Sequence, residues 1–364
     1  MSDAELMSIG SFAQRCGLTA SALRFYADSG SLLPAEVDPV TGYRFYREDQ
    51  LAKAVLLRRL REIGMSLPSV NSALGADVVD VIRSVDDHVT TVMREAESVR
   101  QQAASITTTL AERTRLQTAR LSGPVLASAI EQILTATTDD PDIAVLGGVH
   151  VEAGPGVLTL TASDRYRLST RTLVSNVDSA AAWAATVNGD DLRQSLGDLR
   201  RTSSVSVDVT NHGMNLRLIG RGDHHCRFVS EPFPDYRSML DTLPAVTSRV
   251  EVPTATLLHA LEQRSADRIW LCSNDKYLVV RDVHGDRSSD IELPARVNGP
   301  TIDVWFEMTT LYPAISTAVG AEVLLDFRGP EQPATVRSAD RGDLTTLVMP
   351  IAAPCGTTTT EHTP

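Results

Sequence analysis

From Val78 onward, apolar residues recur every three and four positions over almost five heptads. One set is Val78, Val85, Val92, Val99 and Ile106, and the other is Ile82, Val89, Ala96, Ala103 and Leu110. Such a repeat demands one continuous helix carrying a narrow apolar seam. Polar residues such as Arg94, Glu95, Glu97, Arg100 and Gln101 fill the other positions, so the seam suits one partner helix rather than a broad core. A homodimer joined through Val85, Val89, Val92, Ala96, Val99, Ala103 and Ile106 is therefore expected, and the small Ala96 and Ala103 permit close approach. The long helix also divides the chain, leaving residues 1–75 before it and residues from 123 after it.

The leading segment reads as short, well-punctuated helices. Ile9, Phe12, Ala13 and Cys16 form one apolar helical face behind Ser8 as N-cap, and Gly17 stands where that helix would end. Thr19 can cap a second helix through Ala22, Leu23, Phe25 and Tyr26 that Gly30 stops, giving a helix-turn-helix. Thr19, Ser21, Arg24 and Tyr26 are expected on its exposed, DNA-facing side. Val37 to Tyr46, with Asp38, Pro39 and Gly42 at the tip, reads as a hairpin or wing presenting Tyr43 and Arg44. Helical stretches at 47–63 and 67–74 complete the module, and Arg47 joins the expected DNA contacts.

These words, in this order, resemble a known family. Leu23-Arg24-Phe25-Tyr26, Thr41-Gly42-Tyr43-Arg44-Phe45-Tyr46 and Leu60-Arg61-Glu62-Ile63-Gly64-Met65-Ser66-Leu67 are similar to the MerR family of transcription regulators. The resemblance implies a dimer with an antiparallel coiled coil, an inverted-repeat promoter in double-stranded DNA, and activation by distorting that DNA for RNA polymerase.

After Gly123 and Pro124 the pattern changes. Helical segments starting near Val125, Asp190, Thr254 and Glu307 each precede strands of alternating character, such as Val205 to Thr210 and Met214 to Ile219. Self-similarity at that period marks repeated supersecondary units, here four half-domains making two domains. Thr159 to Ser169 (TLTASDRYRLS), Phe233-Pro234-Asp235-Tyr236-Arg237 and Leu347-Val348-Met349-Pro350 look like the second and third domains of the bacterial DNA polymerase III β sliding clamp. Its first domain has no counterpart. The resemblance implies a peptide-accepting groove at Arg165, Tyr166, Arg167, Leu168, Pro234, Met239, Val348, Met349 and Pro350. A clamp has glycine where Arg165 stands and usually asparagine where Glu307 stands, so side chains intrude at that groove.

The expected architecture is multidomain: an all-α winged helix-turn-helix (1–75) and a long coiled-coil helix (76–122), then α+β sliding-clamp-like domains of the processivity fold (123–246 and 247–354). A disordered tail (355–364) is expected to follow. Charge agrees with this division. The chain carries −12, yet residues 1–75 hold 8 basic and 8 acidic side chains and residues 76–122 hold 6 and 7, which leaves −11 for 123–364. The last region therefore lacks the cationic bore that sliding on a duplex would use. Arg44, Arg47, Lys53, Arg58, Arg59 and Arg61 form a local cationic stretch on an acidic molecule. Only Lys53 and Lys276 are lysines, so arginine must supply nearly all cationic recognition.

Chemistry has little support. Asp223-His224-His225-Cys226 spells the palmitoyltransferase signature but stands without membrane spans or a zinc site. Cys16, Cys226, Cys272 and Cys355 show no CxxC spacing and read as free thiols. Asp139-Asp140 and Asp190-Asp191 sit where capping explains them, and residues 111–148 contain no Cys or His for a metal sensor. No metal, no cofactor, no enzymatic activity and no membrane span are expected, and the acidic start suggests a cytoplasmic protein. Two functions fit: a ligand-responsive regulator whose clamp-like domains sense a small-molecule or cyclic-peptide effector, or a DNA-bound protein whose clamp-like domains recruit replication or repair proteins.

Overall fold

The computed structural model describes residues 6–111, 116–283, 290–340 and 342–353. Cys355 and the tail therefore lie outside the described residues. The chain forms two compact units, Met1–Ile106 and Thr107–Pro364.

In the first unit the local signals act as read. Helix α1 (Ile9–Cys16) starts where Ser8 Oγ accepts the Ser11 N–H, and ends at Gly17, whose φ of 71° favours glycine. Helix α2 (Ala20–Asp28) starts where Thr19 Oγ1 accepts the Ala22 N–H at 3.1 Å. Strands β1 (Met7–Ser8), β2 (Glu36–Val37) and β3 (Arg44–Tyr46) make a small sheet in the order β1-β3-β2. At the wing tip, Asp38 accepts the Val40 and Thr41 N–H groups at 2.8 Å each, and these bonds hold its carboxyl below the usual range. The helix expected over 47–63 is divided into a 3-10 turn (Glu48–Gln50) and α3 (Leu51–Glu62). There the Gln50 amide accepts the Arg47 N–H and donates to Leu33 O. Helix α4 (Leu67–Leu74), capped by Ser66, completes the bundle, and the 34-residue α5 (Val78–Ala111) follows. Phe12, Leu23, Leu32, Tyr46, Leu57 and Met65 form the core.

The second unit begins earlier than the sequence suggests. Residues 116–121, expected inside the dimer helix, are strand β4 (Leu116–Leu121), which pairs with β7 (Val205–Val209). Thr118 and Ala119 are fully buried, and that burial is a tertiary outcome that heptad counting does not register. Helix α6 (Gly123–Leu134) leads into the long hairpin of β5 (Gly148–Ser163) and β6 (Arg167–Asn188). Helix α7 (Gly189–Leu199), then β7, β8 (Gly213–Leu218) and β9 (His224–Arg227) make the second half. A Cβ at Gly123 would lie 2.3 Å from Leu199 O, so only glycine lets α6 start so close to the end of α7.

The third part repeats the scheme after a short helix α8 (Tyr236–Asp241) that the sequence reading did not include. Its elements are β10 (Ser248–Pro253), α9 (Thr254–Glu262), β11 (Arg268–Ser273), β12 (Tyr277–Asp282), β13 (Ile291–Pro294) and β14 (Arg296–Asn298). They are followed by β15 (Asp303–Glu307), α10 (Met308–Thr317), β16 (Glu322–Phe327), β17 (Ala334–Ser338) and β18 (Leu344–Val348). Strand β18 pairs antiparallel with β6, placing Leu347 opposite Leu168. That pairing creates a seven-stranded sheet, β14-β10-β16-β17-β18-β6-β5, running through both clamp-like domains. Two aliphatic cores lie on either side of the seam, one around Ile130, Val151 and Leu216, the other around Leu257, Phe306 and Leu325.

Candidate functional site

Helix α2 exposes Ser21, Arg24, Phe25 and Asp28, which share one face at the 3.6-residue period. Tyr26, expected on that face, is a core residue only 9% exposed, whereas Phe25 beside it is 58% exposed. The reason is periodicity: Leu23, Tyr26 and Ala27 form the buried stripe, and a side chain three positions from a core leucine must follow it inward. Helical phasing from Leu23 would have identified Phe25. Thr19 is exposed, but its hydroxyl serves as the helix cap.

The wing is fastened to the same helix. Arg44 Nη2 bonds Asp28 Oδ1 at 2.6 Å, and Nη1 donates to Arg24 O at 3.2 Å. Arg44, expected to be presented by the wing, is thus engaged with α2, where it neutralises the one carboxylate of that exposed face. Tyr43 and Arg47 are exposed.

Along α5 the expected seam divides in two. Val85, together with Val81, packs partly against the core of its own unit, and His88 Nε2 lies 3.0 Å from Ile63 O. This part of the seam serves the helix's own domain. Further along, Val89, Val92 (46%), Ala96, Val99 (66%), Ala103 and Ile106 are exposed. The apolar stripe is therefore exposed at these described positions.

In the clamp-like region, Asp164, Arg165 and Tyr166 form the tight turn between β5 and β6. Arg165 adopts φ 79°, the left-handed region, and ion-pairs with Asp140. Tyr166 is exposed, and its carbonyl accepts the Met349 N–H at 2.8 Å, bringing those two expected residues together. Arg167, expected to line the groove, is already engaged: its Nε meets Asp164 Oδ2 at 2.8 Å and its Nη2 donates to Thr135 O. Val348 is fully buried in the last domain's core and lines no surface, because alternation along β18 turns it inward. Leu168 is buried with Tyr236 and Leu347, packed by Phe233, Leu240 and Leu243, so it forms the floor that seats α8. Pro234, Met239 (43%) and Met349 (39%) remain exposed, and Pro350 is half-buried.

Several supporting residues escaped the sequence reading. Glu152 accepts the Tyr236 hydroxyl and two bonds from Arg237 Nη2 at 3.1 Å, while the His150 ring stacks on Phe233 at 4.9 Å. Burial pushes the His150 imidazole below its ordinary value, so it is a neutral packing ring near neutral pH. Their alternation with Val149, Val151 and Ala153 on β5 was the available signal.

The Asp223-to-Cys226 motif, expected to join two strands, lies largely within β9, where Cys226 is fully buried. Asp191, beyond its place in the first turn of α7, is buried and accepts the backbone N–H and guanidinium of Arg227. Among the described residues, no three His, Cys, Asp or Glu side chains gather as a metal site, and no helix is long and apolar enough to cross a membrane.

Comparison with known proteins agrees with this division. Residues 7–76 match the MerR HTH family regulatory proteins. The regulator CueR of Salmonella typhimurium is 38% identical over 61 residues, covering 17% of this chain and 44% of its own. The beta sliding clamp of Streptomyces coelicolor is 25% identical over 253 residues, 64% of this chain and 66% of the clamp. The beta sliding clamp homolog GriR of Streptomyces muensis is 22% identical over 246 residues, 64% of this chain and 65% of its own. This chain thus spans just under two thirds of those clamps' length. Among solved structures, a Pseudomonas aeruginosa sliding clamp superposes with a TM-score of 0.59 at 18% identity, over 66% of this chain and 67% of that one. A DnaN sliding clamp from the same organism bound to griselimycin gives the same score and identity, over 66% and 65%. Residues 7–76 are therefore a MerR-type helix-turn-helix region, which this chain carries fused to a region with the fold of the bacterial sliding clamp.

Proposed function

We infer that this chain is a dimeric, ligand-responsive transcription regulator, in which the MerR-type region reads an inverted-repeat promoter for RNA polymerase and the clamp-like region senses an effector. The observation that carries this reading is the union, in one chain, of a MerR-type helix-turn-helix region with a region of the sliding-clamp fold. Residues 123–364 carry a net charge of −11, which disfavours sequence-independent hold on a duplex, while Tyr166, Pro234, Met239 and Met349 keep exposed apolar anchors. A peptide-like compound that binds clamps is the effector class these anchors suit. For the effector to act, it must favour one arrangement of the dimer, with a coupling of about 1–3 kcal/mol between ligand and DNA-distorting state.

On the DNA side, Arg24→Ala is expected to weaken promoter binding by about 1–3 kcal/mol. Arg44→Ala is expected to weaken specific and nonspecific duplexes together, because it frees Asp28 to face phosphate. Fluorescence anisotropy at matched salt reads both; binding equal to the parent in the two variants removes α2 and the wing from the interface.

On the effector side, griselimycin, which binds a clamp of this fold, is the first probe. Met239→Glu is expected to weaken it at least about tenfold in calorimetry of the full chain, since a carboxylate would be desolvated beside an apolar anchor. Promoter binding without the compound should be unchanged. Equal affinity for parent and variant would place the effector site elsewhere, and promoter recruitment of replication proteins without any compound would favour the interaction function.

A further inference from the structure

Phe25 is the one large apolar side chain on the exposed face of α2. It lies between Ser21, Arg24 and the Arg44-neutralised Asp28, and more than half of its surface is open to solvent. Its ring centroid lies 5.5 Å from that of the adjacent, buried Tyr26 in an edge-on arrangement. The wing is tied to the same helix through Arg44, which bonds Arg24 O and Asp28 and so holds the strand that follows the exposed Tyr43 against α2. Cationic Arg24 and the cancelled charge of Asp28 make the exposed face of α2 complementary to a polyanion. In the major groove of a duplex, an apolar ring finds one apolar group on a base edge, the C5-methyl of thymine.

We propose that Phe25 is a specificity-determining residue that reads a thymine methyl at one position in each promoter half-site. This rests on the DNA-reading function proposed above and adds a base identity to it. The phenylalanine carries no hydroxyl, so it cannot donate to phosphate, and its contribution comes from covering the methyl. Loss of one buried methyl corresponds to about fourfold in affinity, and loss in both half-sites of a two-fold symmetric site to about fifteenfold.

The test uses the full-length protein and a duplex recovered by iterative selection from a randomised pool. Each thymine of the selected site is replaced in turn, in both half-sites, by deoxyuridine, which removes only the methyl. One symmetry-related pair is expected to weaken the parent by about fifteenfold while changing Phe25→Ala by less than about twofold. Phe25→Leu, which keeps an apolar side chain, should retain part of the discrimination and guards against an effect of misfolding. If no thymine pair responds, or if the response persists in Phe25→Ala, the proposal is overturned while DNA reading stands. If no duplex is enriched at all, both fall together.

Discussion

Val92→Asp combined with Val99→Asp is expected to turn the dimer into monomers and to lower promoter affinity by at least about a hundredfold. Both valines lie on the exposed stripe of α5, one heptad apart, beyond the point where Val81 and Val85 are occupied by their own domain. In a two-stranded seam each a-position knob is enclosed by four residues of the facing helix. Four carboxylates would then be buried in one short stretch, and their desolvation exceeds what the remaining contacts of Val89, Ala96, Ala103 and Ile106 return. A dimer holds two half-sites at once, whereas a monomer holds one and loses the effective concentration of the second. Light scattering reads the mass and anisotropy the affinity. A double variant that remains dimeric would remove α5 from the interface.

Tyr46→Ala carries the second large effect. Tyr46 is fully buried at the end of the wing, its ring stacked on Phe12 at 4.6 Å and its hydroxyl donating to Leu23 O at 3.4 Å. Burial raises its phenol above the ordinary value, so the neutral hydroxyl persists to high pH. Removing the ring leaves a cavity among α1, α2 and β3 and costs about 3–5 kcal/mol, a large fraction of the stability of a small domain. The expected result is a helix-turn-helix unit that unfolds at or below ordinary growth temperature and binds no DNA, while the clamp-like region melts as in the parent. Tyr46→Phe keeps the stacking and should lose about 1 kcal/mol or less. Calorimetry separates the two transitions, and an unchanged first transition in Tyr46→Ala would show that the wing does not depend on this anchor.

Much of the first unit was legible because its signals are local. Ser8, Thr19 and Ser66 each meet an N–H three residues on, and Gly17, Gly30 and Gly42 stand where φ is positive. Such interactions close within one turn of chain and need no distant partner. The four half-domains were legible for a related reason, since a repeat displays its own alternation several times over. The misplacements share the opposite origin. Tyr26 and Phe25 are the exception, since the phase set by Leu23 within α2 already turns Tyr26 inward and Phe25 out. Arg167 reads as a free cation until Asp164 and the carbonyl of Thr135 are brought to it by the turn and by α6.

The sequence by itself determined the caps, the heptad helix, the wing and the order of the clamp-like repeats, because these depend on spacing within a few residues. Only the tertiary structure decided which side chains the repeats leave open. It made residues 116–121 a strand by offering them β7, packed Val348 into the last domain's core with Leu311 and Val336, and exposed Met239 by seating α8 on Leu168 and Leu347. Strand pairing and burial are contacts between residues far apart in the chain, and their free energy depends on surfaces that exist only once the fold has formed.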